Sequence, residues 1–273
     1  NRLAGSSFMG AIAEAGSTMR EGGIVSAAPI QVTSYAPYLG ASSNPIKVHN
    51  PLATSNTFRV WGSFLAGKQN VSADANSGNG AQASRVTGGV VGLDYQVASD
   101  WMIGIAGGMS ESKFSGEIGK VSGDGKGAHV GVYSTAAGKD YYVQMSSAAS
   151  FFNNKTERSI IGVGALPDEN ASASYNSLEW RSRVEVGLDE YVADVKFTPY
   201  VAAEAAVTRN PKYAETSKTT TGTPGIMALT FAGDTSLSLP VSLGLKIEKR
   251  MEFNGGFSIT PTMSVAYVHD FRG

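Results

Sequence analysis

The chain has 273 residues, of which 42% are hydrophobic and 16% are charged, so its composition is that of a folded protein and not of a disordered one. Its net charge of −1 argues against a nucleic-acid partner, because phosphate recognition needs a concentrated basic surface. The chain has no cysteine, which excludes disulfides and thiolate metal sites, and no apolar run approaches the length of a transmembrane helix.

The first part of the chain, residues 1–56, predicts a short helix and an extended linker. The helix is expected over residues 6–21, with Ser6 or Ser7 as its cap and Gly22 and Gly23 at its end. Residues 24–56 carry four prolines among serines and asparagines, so we expect an extended, irregular segment there.

From residue 57 onward, apolar and polar residues alternate in nine segments. Successive side chains of a strand point to opposite faces, so each segment offers one apolar and one polar face. Several segments reach about ten residues or more, the length that a tilted strand needs to cross a bilayer. The sequence therefore predicts an all-β fold, a transmembrane antiparallel up-and-down β-barrel with a polar lumen. The nine strands are expected at 57–68, 85–98, 101–114, 127–137, 140–153, 173–191, 195–209, 235–250 and 257–271.

The predicted connections alternate between long and short. Long polar loops are expected at 69–84, 115–126, 154–172 and 210–234, and tight turns at 98–100, 137–139, 192–194 and 253–256. Outer-membrane barrels have long extracellular loops and short periplasmic turns, so the first strand is expected to start at the periplasmic rim.

Aromatic residues near the predicted strand ends fit headgroup depth in a bilayer, although the general preference of aromatics for strands explains part of the pattern. These residues are Trp101, Tyr141, Tyr142, Tyr191, Phe197, Phe253, Phe257 and Phe271.

One set of charged residues shares a face of three neighbouring strands. We call it the charged wall: Glu179, Arg181, Arg183, Glu185, Asp189, Glu204, Lys246, Glu248 and Arg250. Charged side chains are solvated by water in a barrel lumen, whereas contact with lipid would cost them free energy. The charged wall is therefore expected to line the lumen. Two interpretations stay open: the charges pair only with one another, or they also contact the N-terminal segment.

The same alternation predicts which side chains of the eighth strand meet lipid. We expect Leu237, Leu239, Val241, Leu243 and Leu245 to point outward, and Ser236, Ser238, Ser242 and Lys246 to point inward.

Catalytic and metal-binding patterns are missing from the sequence. His49, His129 and His269 lie in unrelated contexts, and no nucleophile, phosphate-binding or dinucleotide motif has a supporting strand–turn–helix context. We therefore expect no enzyme activity, no cofactor and no metal.

Four short segments together resemble the translocator domain of autotransporters, the type V secretion family. They are Arg59–Phe64, Gly88–Tyr95, Gly131–Tyr133 and Val268–Phe271. The resemblance implies a twelve-stranded barrel in the outer membrane of a Gram-negative bacterium, with a helix threaded through its pore. It also implies the export of an upstream passenger to the cell surface, and insertion into the lipid bilayer with help from the barrel-assembly machinery.

The sequence departs from the family at its end. Members continue for three more strands past the segment that matches Val268–Phe271, whereas this sequence stops at Gly273. Nine is an odd number, and barrels of this bacterial class have an even number of strands. We therefore expect residues 57–273 to be the translocator domain without its last strands, and residues 1–56 to enter its lumen.

Two other functions share parts of these patterns. A porin or other passive diffusion channel has the same barrel signature but lacks an N-terminal segment that leads into the lumen. A secreted β-rich adhesin or enzyme fragment would be soluble without detergent and would lack the alternation of loop lengths.

Overall fold

The computed structural model describes residues 2–18, 30–36, 39–42, 58–71, 73, 80–116, 120–162, 164, 166–249, 251–253, 257–259 and 262–272. It begins with helix α1, Arg2–Thr18, which starts four residues before the predicted cap. Ser6 is not a cap, because it lies inside the helix and its hydroxyl donates to the carbonyl of Leu3 at 3.0 Å. The predicted end of the helix near Gly22 lies outside the described residues. No helix in the described part of the chain has the length and apolarity that crossing a membrane requires.

Two short strands follow in the predicted linker, β1 (Ile30–Ala36) and β2 (Leu39–Ser42), so these residues are extended as predicted but form regular strands. Six long strands come next. They are β3 (Phe58–Val71), β4 (Gln82–Ala98), β5 (Trp101–Gly116), β6 (Val121–Ala137), β7 (Tyr141–Ile160) and β8 (Glu169–Leu188).

The remaining described strands are three long ones and seven short ones. The long ones are β10 (Val195–Asn210), β15 (Pro240–Lys249) and β18 (Thr262–Asp270). The short ones are β9 (Glu190–Val192), β11 (Tyr213–Ala214), β12 (Thr216–Thr219), β13 (Thr230–Phe231), β14 (Asp234–Ser238), β16 (Met251–Phe253) and β17 (Phe257–Ile259).

The long strands form one antiparallel meander in the predicted order, from β3 through β8 to β10, β15 and β18. The two outer strands of this meander pair with the N-terminal segment: β3 lies parallel to β1, and β18 lies antiparallel to β2. Since β1 pairs with β2, the path of hydrogen-bonded strands returns to β3. The expectation that further strands follow Gly273 stays a prediction.

Several strands are longer than the sequence predicts. Most of the loop expected at 115–126 is strand, since β5 reaches Gly116 and β6 begins at Val121, and the loop expected at 154–172 shrinks to 161–168. The polar residues there continue the cross-strand register, as in the pair Asn154 and Tyr175. On the inner face, Asn154 is buried and donates to Ser177 at 2.9 Å, so these polar residues belong to strands and not to a loop.

Burial separates the two faces of the sheet. We call the buried side, which α1 contacts, the inner face, and the opposite side the outer face. On β15, Leu243 is 63% exposed on the outer face, while Ser242 is buried and Lys246 is paired on the inner face, as predicted. Leu239 and Leu245 are only half-exposed, and Ser236 is half-buried. The expectation that Tyr142 lies at headgroup depth is wrong, because this residue is buried on the inner face, where its hydroxyl donates to Glu185 at 2.5 Å.

Candidate functional site: the helix against the inner face

Helix α1 is the centre of the site, because it contacts six consecutive strands, from β3 to β8. A straight helix touches that many strands only if the sheet curls around it. Apolar side chains of the helix cluster with side chains from five of the strands: Phe8, Met9, Ala11, Ile12 and Ala15 pack with Trp61, Leu65, Val90, Met102, Ala106, Tyr133 and Ala148. The helix is therefore packed as tightly as a core element, and not as a surface helix.

Phe8 is the deepest contact of the helix. It is fully buried, and its ring stacks on His129 with the ring centroids 5.0 Å apart. His129 is held on both sides, by Ser110 at its Nε2 atom and by Ser150 at its Nδ1 atom, each at 2.8 Å. Gly131 leaves the room for this packing, since a Cβ atom there would lie 2.7 Å from Cδ1 of Ile12 and would overlap it.

The C-terminal half of the helix is bound through its backbone. Arg59 donates to the carbonyl of Ala15 at 2.6 Å, and Gln144 donates to the carbonyl of Ala13 at 2.9 Å. The last carbonyls of a helix have no partner within the helix and carry partial negative charge. The helix has no basic residue in its last turn, so the cation that stabilises this end comes from the sheet.

Arg59 is fixed in turn by a buried carboxylate. Asp94 is 2% exposed and accepts from Arg59 Nε at 2.6 Å and from Trp61 Nε1 at 3.1 Å. Asp94 also accepts from the hydroxyl of Tyr133. The oxygen of this hydroxyl in turn accepts a hydrogen bond from Trp61 Nε1 at 2.6 Å. Such a network is stable when buried because the charge is both paired and hydrogen-bonded. Sequence reasoning missed it, although an acidic residue at an inward position of an apolar strand was a usable signal.

The N-terminal half of the helix lies against β4, β7 and β8. Leu3 and Ala4 form a second apolar cluster with Val86 and Phe152. Gly5 faces the carboxylate of Glu179 so closely that a Cβ atom at this position would overlap it. A negative group near the first turn of a helix complements the helix dipole, and the helix has no acidic residue of its own there.

Six members of the charged wall form one network on the inner face. Arg181 pairs with Glu179 at 3.1 Å and with Glu204, and Arg181 also approaches the carbonyl of Arg2 at 3.5 Å. Arg183 pairs with Glu185 at 2.6 Å and reaches Glu204 at 3.9 Å.

The network continues to β15 through Lys246, which pairs with Glu185 at 2.6 Å. Lys246 also lies over the ring of Tyr200, 4.9 Å from its centroid. Glu185, Glu179 and Arg181 are buried, so mutual pairing is what makes these charges tolerable.

Asp189 and Glu248, two further members of the charged wall, lie near the end of the sheet with the tight turns. Both pair with Lys196, which the sequence analysis did not predict, at 3.6 Å and 3.4 Å respectively. Its inward parity and its position opposite Glu248 in the register were the signals available. The last member, Arg250, lies outside the residues whose side chains the structure describes.

At the far end of β7 and β8, residues 211–231 fold over the inner face, and we call them the mouth segment. The carboxylate of Glu169 accepts the backbone N–H groups of Ile226 and Met227, each at 2.9 Å. Tyr175 of β8 stacks on Tyr213 at 4.1 Å, and Tyr213 stacks on Phe231 at 4.7 Å. The predicted loop 210–234 is thus an ordered structure that contains β11, β12 and β13.

One ion pair anchors the mouth segment to β7. Arg158 donates to Glu215 at 2.6 Å and to the carbonyl of Met227 at 3.1 Å. The hydrogen bond from Arg158 holds the pKa of the Glu215 carboxyl below its ordinary value, and the N–H of Leu229 adds to this effect.

Within the described ranges, no group of three or more His, Asp or Glu residues is placed to hold a metal ion. His129 is surrounded by serines and aromatic rings, and thus has the partners of a core histidine.

Comparisons with known proteins fit this architecture. The Autotransporter beta-domain family matches residues 60–273. The structure resembles the translocator domain of autotransporter NalP from Neisseria meningitidis, with a TM-score of 0.57 and 11% identity over 81% of this chain and 90% of that one. It also resembles the beta domain of the Bordetella autotransporter BrkA, with a TM-score of 0.60 and 19% identity over 79% of each chain. No curated protein matches the sequence.

The family match covers most of the chain, and its domain is a transport domain and not a catalytic one. The two structural neighbours have the same kind of fold. The chain therefore belongs to the autotransporter β-domain family, and it is an outer-membrane translocator of a Gram-negative bacterium that exports a passenger to the cell surface.

Proposed function

We propose that α1 occupies the lumen of the translocator barrel, that the charged wall lines this lumen, and that residues 1–56 connect the passenger to the barrel through the pore. The observation that supports this most strongly is the contact of one buried helix with six consecutive strands. A diffusion channel needs a water-filled path along its axis, and a helix packed in this position fills such a path.

The direction of the helix agrees with this path. Its C-terminal half bonds Arg59 and Gln144, which lie near the starts of β3 and β7, at the end of the sheet with the tight turns. Its N-terminal half meets Phe152 and Glu179, which lie farther toward the opposite end. A chain that runs this way enters the lumen from the side with the long loops and leaves at the side with the turns, where β3 begins.

The chemistry of the inner face suits a helix that carries little charge. The sheet supplies a carboxylate near the first turn and a guanidinium near the last, so the dipole of α1 is complemented in one orientation only. We infer that the barrel acts in transport without a catalytic step, that its outer face contacts the lipid bilayer, and that the barrel-assembly machinery inserts it. An open porin is the competing function, and no described contact favours it.

A disulfide experiment tests the position of the helix. The chain has no cysteine, so Gly16→Cys with Thr135→Cys introduces the only two thiols. A Cβ atom on Gly16 would lie 2.5 Å from Oγ1 of Thr135, so thiols at these two positions are close enough to react. The same Cβ atom would overlap Nε2 of Gln144, so this pair and its control are made in a Gln144→Ala background that leaves room for the new side chain. The matched control is Gly16→Cys with Ser134→Cys, because Ser134 is the neighbouring residue on the outer face, where it bonds Trp101 at 2.9 Å.

We expect the first pair to form a disulfide in the folded chain under mild oxidation, detected as a mobility shift that a reductant reverses. The control pair is expected to stay reduced. Equal disulfide yields in the two variants, or none with Thr135→Cys, would show that α1 does not lie against the inner face.

A further inference from the structure

The outer face carries a groove of about 940 Å³ across β5 to β10. Its floor follows one cross-strand row, in which Met109, Ala128, Phe151 and Leu178 stand side by side in the register. Met109 is 75% exposed and Phe151 is also exposed, whereas the short side chain of Ala128 between them leaves the gap. The groove is within the size range of ligand sites, and its walls are mostly apolar.

The groove lies at a chemical boundary on the outer face. From Trp101 to Met109 on β5 the outward side chains are apolar or glycine, a span of about 27 Å along the strand at ~3.4 Å per residue. With the usual barrel tilt this span is about 20 Å tall, close to the ~25 Å apolar band of such barrels. The next row is polar, with Glu111, Lys126 and the hydrogen-bonded pair Asn153 and Asn176 at 3.0 Å.

Two cations flank this boundary. Lys126 and Arg209 both line the groove. Lys126 lies 3.9 Å from Glu111, but both side chains are mostly exposed, at 74% and 68%, so this pair contributes little and leaves Lys126 able to bind another anion. Arg209 takes part in no ion pair with any residue that the structure describes. Three interstrand spacings separate their strands, or about 14 Å.

We infer that this groove binds a phosphorylated glycolipid of the outer leaflet, with its acyl chains on Met109, Ala128 and Phe151 and its phosphates on Lys126 and Arg209. The inference rests on the proposed placement of the outer face in a bilayer. Charge complementarity selects the occupant, because an ammonium in the row beyond the apolar floor and a guanidinium at the end of that floor, opposite Leu178, match two phosphates beside acyl chains. A zwitterionic phospholipid would also fill the groove, but its single phosphate is partly compensated by its own cationic group and cannot contact two cations on strands about 14 Å apart.

The test uses the whole chain, folded in detergent, mixed with diphosphorylated lipid A and exchanged into lipid-free detergent. Native mass spectrometry then counts the lipid that stays bound. Two variants change the site in different ways. Lys126→Ser with Arg209→Ser removes both positive charges, and Ala128→Phe places a large side chain in the gap of the groove. Two matched controls lie at the tight-turn end, Lys139→Ser and Ala136→Phe, the latter outward on the same strand as Ala128.

We expect the native chain and both controls to retain lipid A, and both site variants to retain about tenfold less. A lipid with the same acyl chains and no phosphate is expected to bind as weakly to the native chain as lipid A does to the charge variant. If the native chain retains both lipids equally, or if the charge variant retains as much lipid A as the native chain, the proposed lipid site is wrong, although the outer face can still contact a bilayer. Flotation with vesicles tests the membrane placement separately. If the chain does not float with vesicles, the membrane placement is wrong, and the lipid site that depends on it is wrong too.

Discussion

Removing the ring of Phe8 tests the packing of α1 more sharply than any other single substitution. Phe8 is fully buried and contacts His129 and the backbone around Gly131. Truncating a buried phenylalanine costs about 3–5 kcal/mol, because the transfer energy is lost and a cavity remains. Since ~1.4 kcal/mol corresponds to a factor of ten, Phe8→Ala is expected to raise the undocked population of the helix at least about a hundredfold.

Thiol labelling measures that population directly. Ala11 is 2% exposed on the same helix, and Ala11→Cys gives a single thiol in a chain without others. When docking is fast compared with labelling, the labelling rate follows the fraction of undocked helix. We expect slow labelling in the Ala11→Cys background, and labelling at least about a hundredfold faster after Phe8→Ala.

Two controls define the result. Met109→Ala removes a side chain of similar size from the outer face and is expected to leave the labelling rate of Ala11→Cys unchanged. Thr221→Cys, in an exposed turn, is expected to label fast in every background. If Ala11→Cys labels as fast as Thr221→Cys before Phe8 is changed, or if Phe8→Ala has no effect, the helix is not held by this packing.

Three further predictions concern the sheet. Leu243→Arg should lower the free energy of unfolding in vesicles by about 2–4 kcal/mol if Leu243 lies near the bilayer midplane. Glu185→Gln should lower it by about 3–5 kcal/mol, because Lys246 would keep a charge without its carboxylate. The pKa of Glu215 is lowered by Arg158, so its contribution to the stability of the mouth segment is present above the ordinary carboxyl pKa and is lost as the pH falls through the lowered one. Limited proteolysis of residues 211–231 against pH measures this loss.

Each of these predictions has its own contrary result. An effect of Leu243→Arg below about 1 kcal/mol would place Leu243 away from the bilayer interior. Glu111→Gln is the control for Glu185→Gln, since its exposed pair with Lys126 is worth less than about 1 kcal/mol, and equal losses in the two variants would contradict a buried network. A proteolysis profile that is the same in Glu215→Gln as in the native chain would show that Glu215 does not anchor the mouth segment.

The strands and their facing were predictable because alternation with a period of two is a local signal. Leu243 and Lys246 lie on the expected faces for this reason, and the family resemblance is confirmed by the match over residues 60–273. The ends of β5 and β7 were not predictable, because polar residues beyond the apolar band look the same in a loop as in a solvated strand.

The contacts of the site depend on distant residues, which no local pattern encodes. Asp94 and Tyr133 meet across 39 positions of the chain, and Arg59 meets Ala15 across 44. The pairings of β1 with β3 and of β2 with β18 also join distant residues, such as Ile30 with Ala66 and Ser42 with Ser264. The charged wall was predicted from one-sided charge, but Lys196 was missed because a single lysine near a turn resembles an ordinary surface residue.

Ion conductance across a planar bilayer tests the central proposal most directly. The chain is inserted with and without residues 2–18, the range of α1. If the helix fills the lumen, the native chain conducts little, and the deletion opens a large, steady pore whose selectivity changes in Glu185→Gln. A large pore in the native chain, with the same conductance after the deletion, would contradict a lumen occupied by α1 and would favour a diffusion channel.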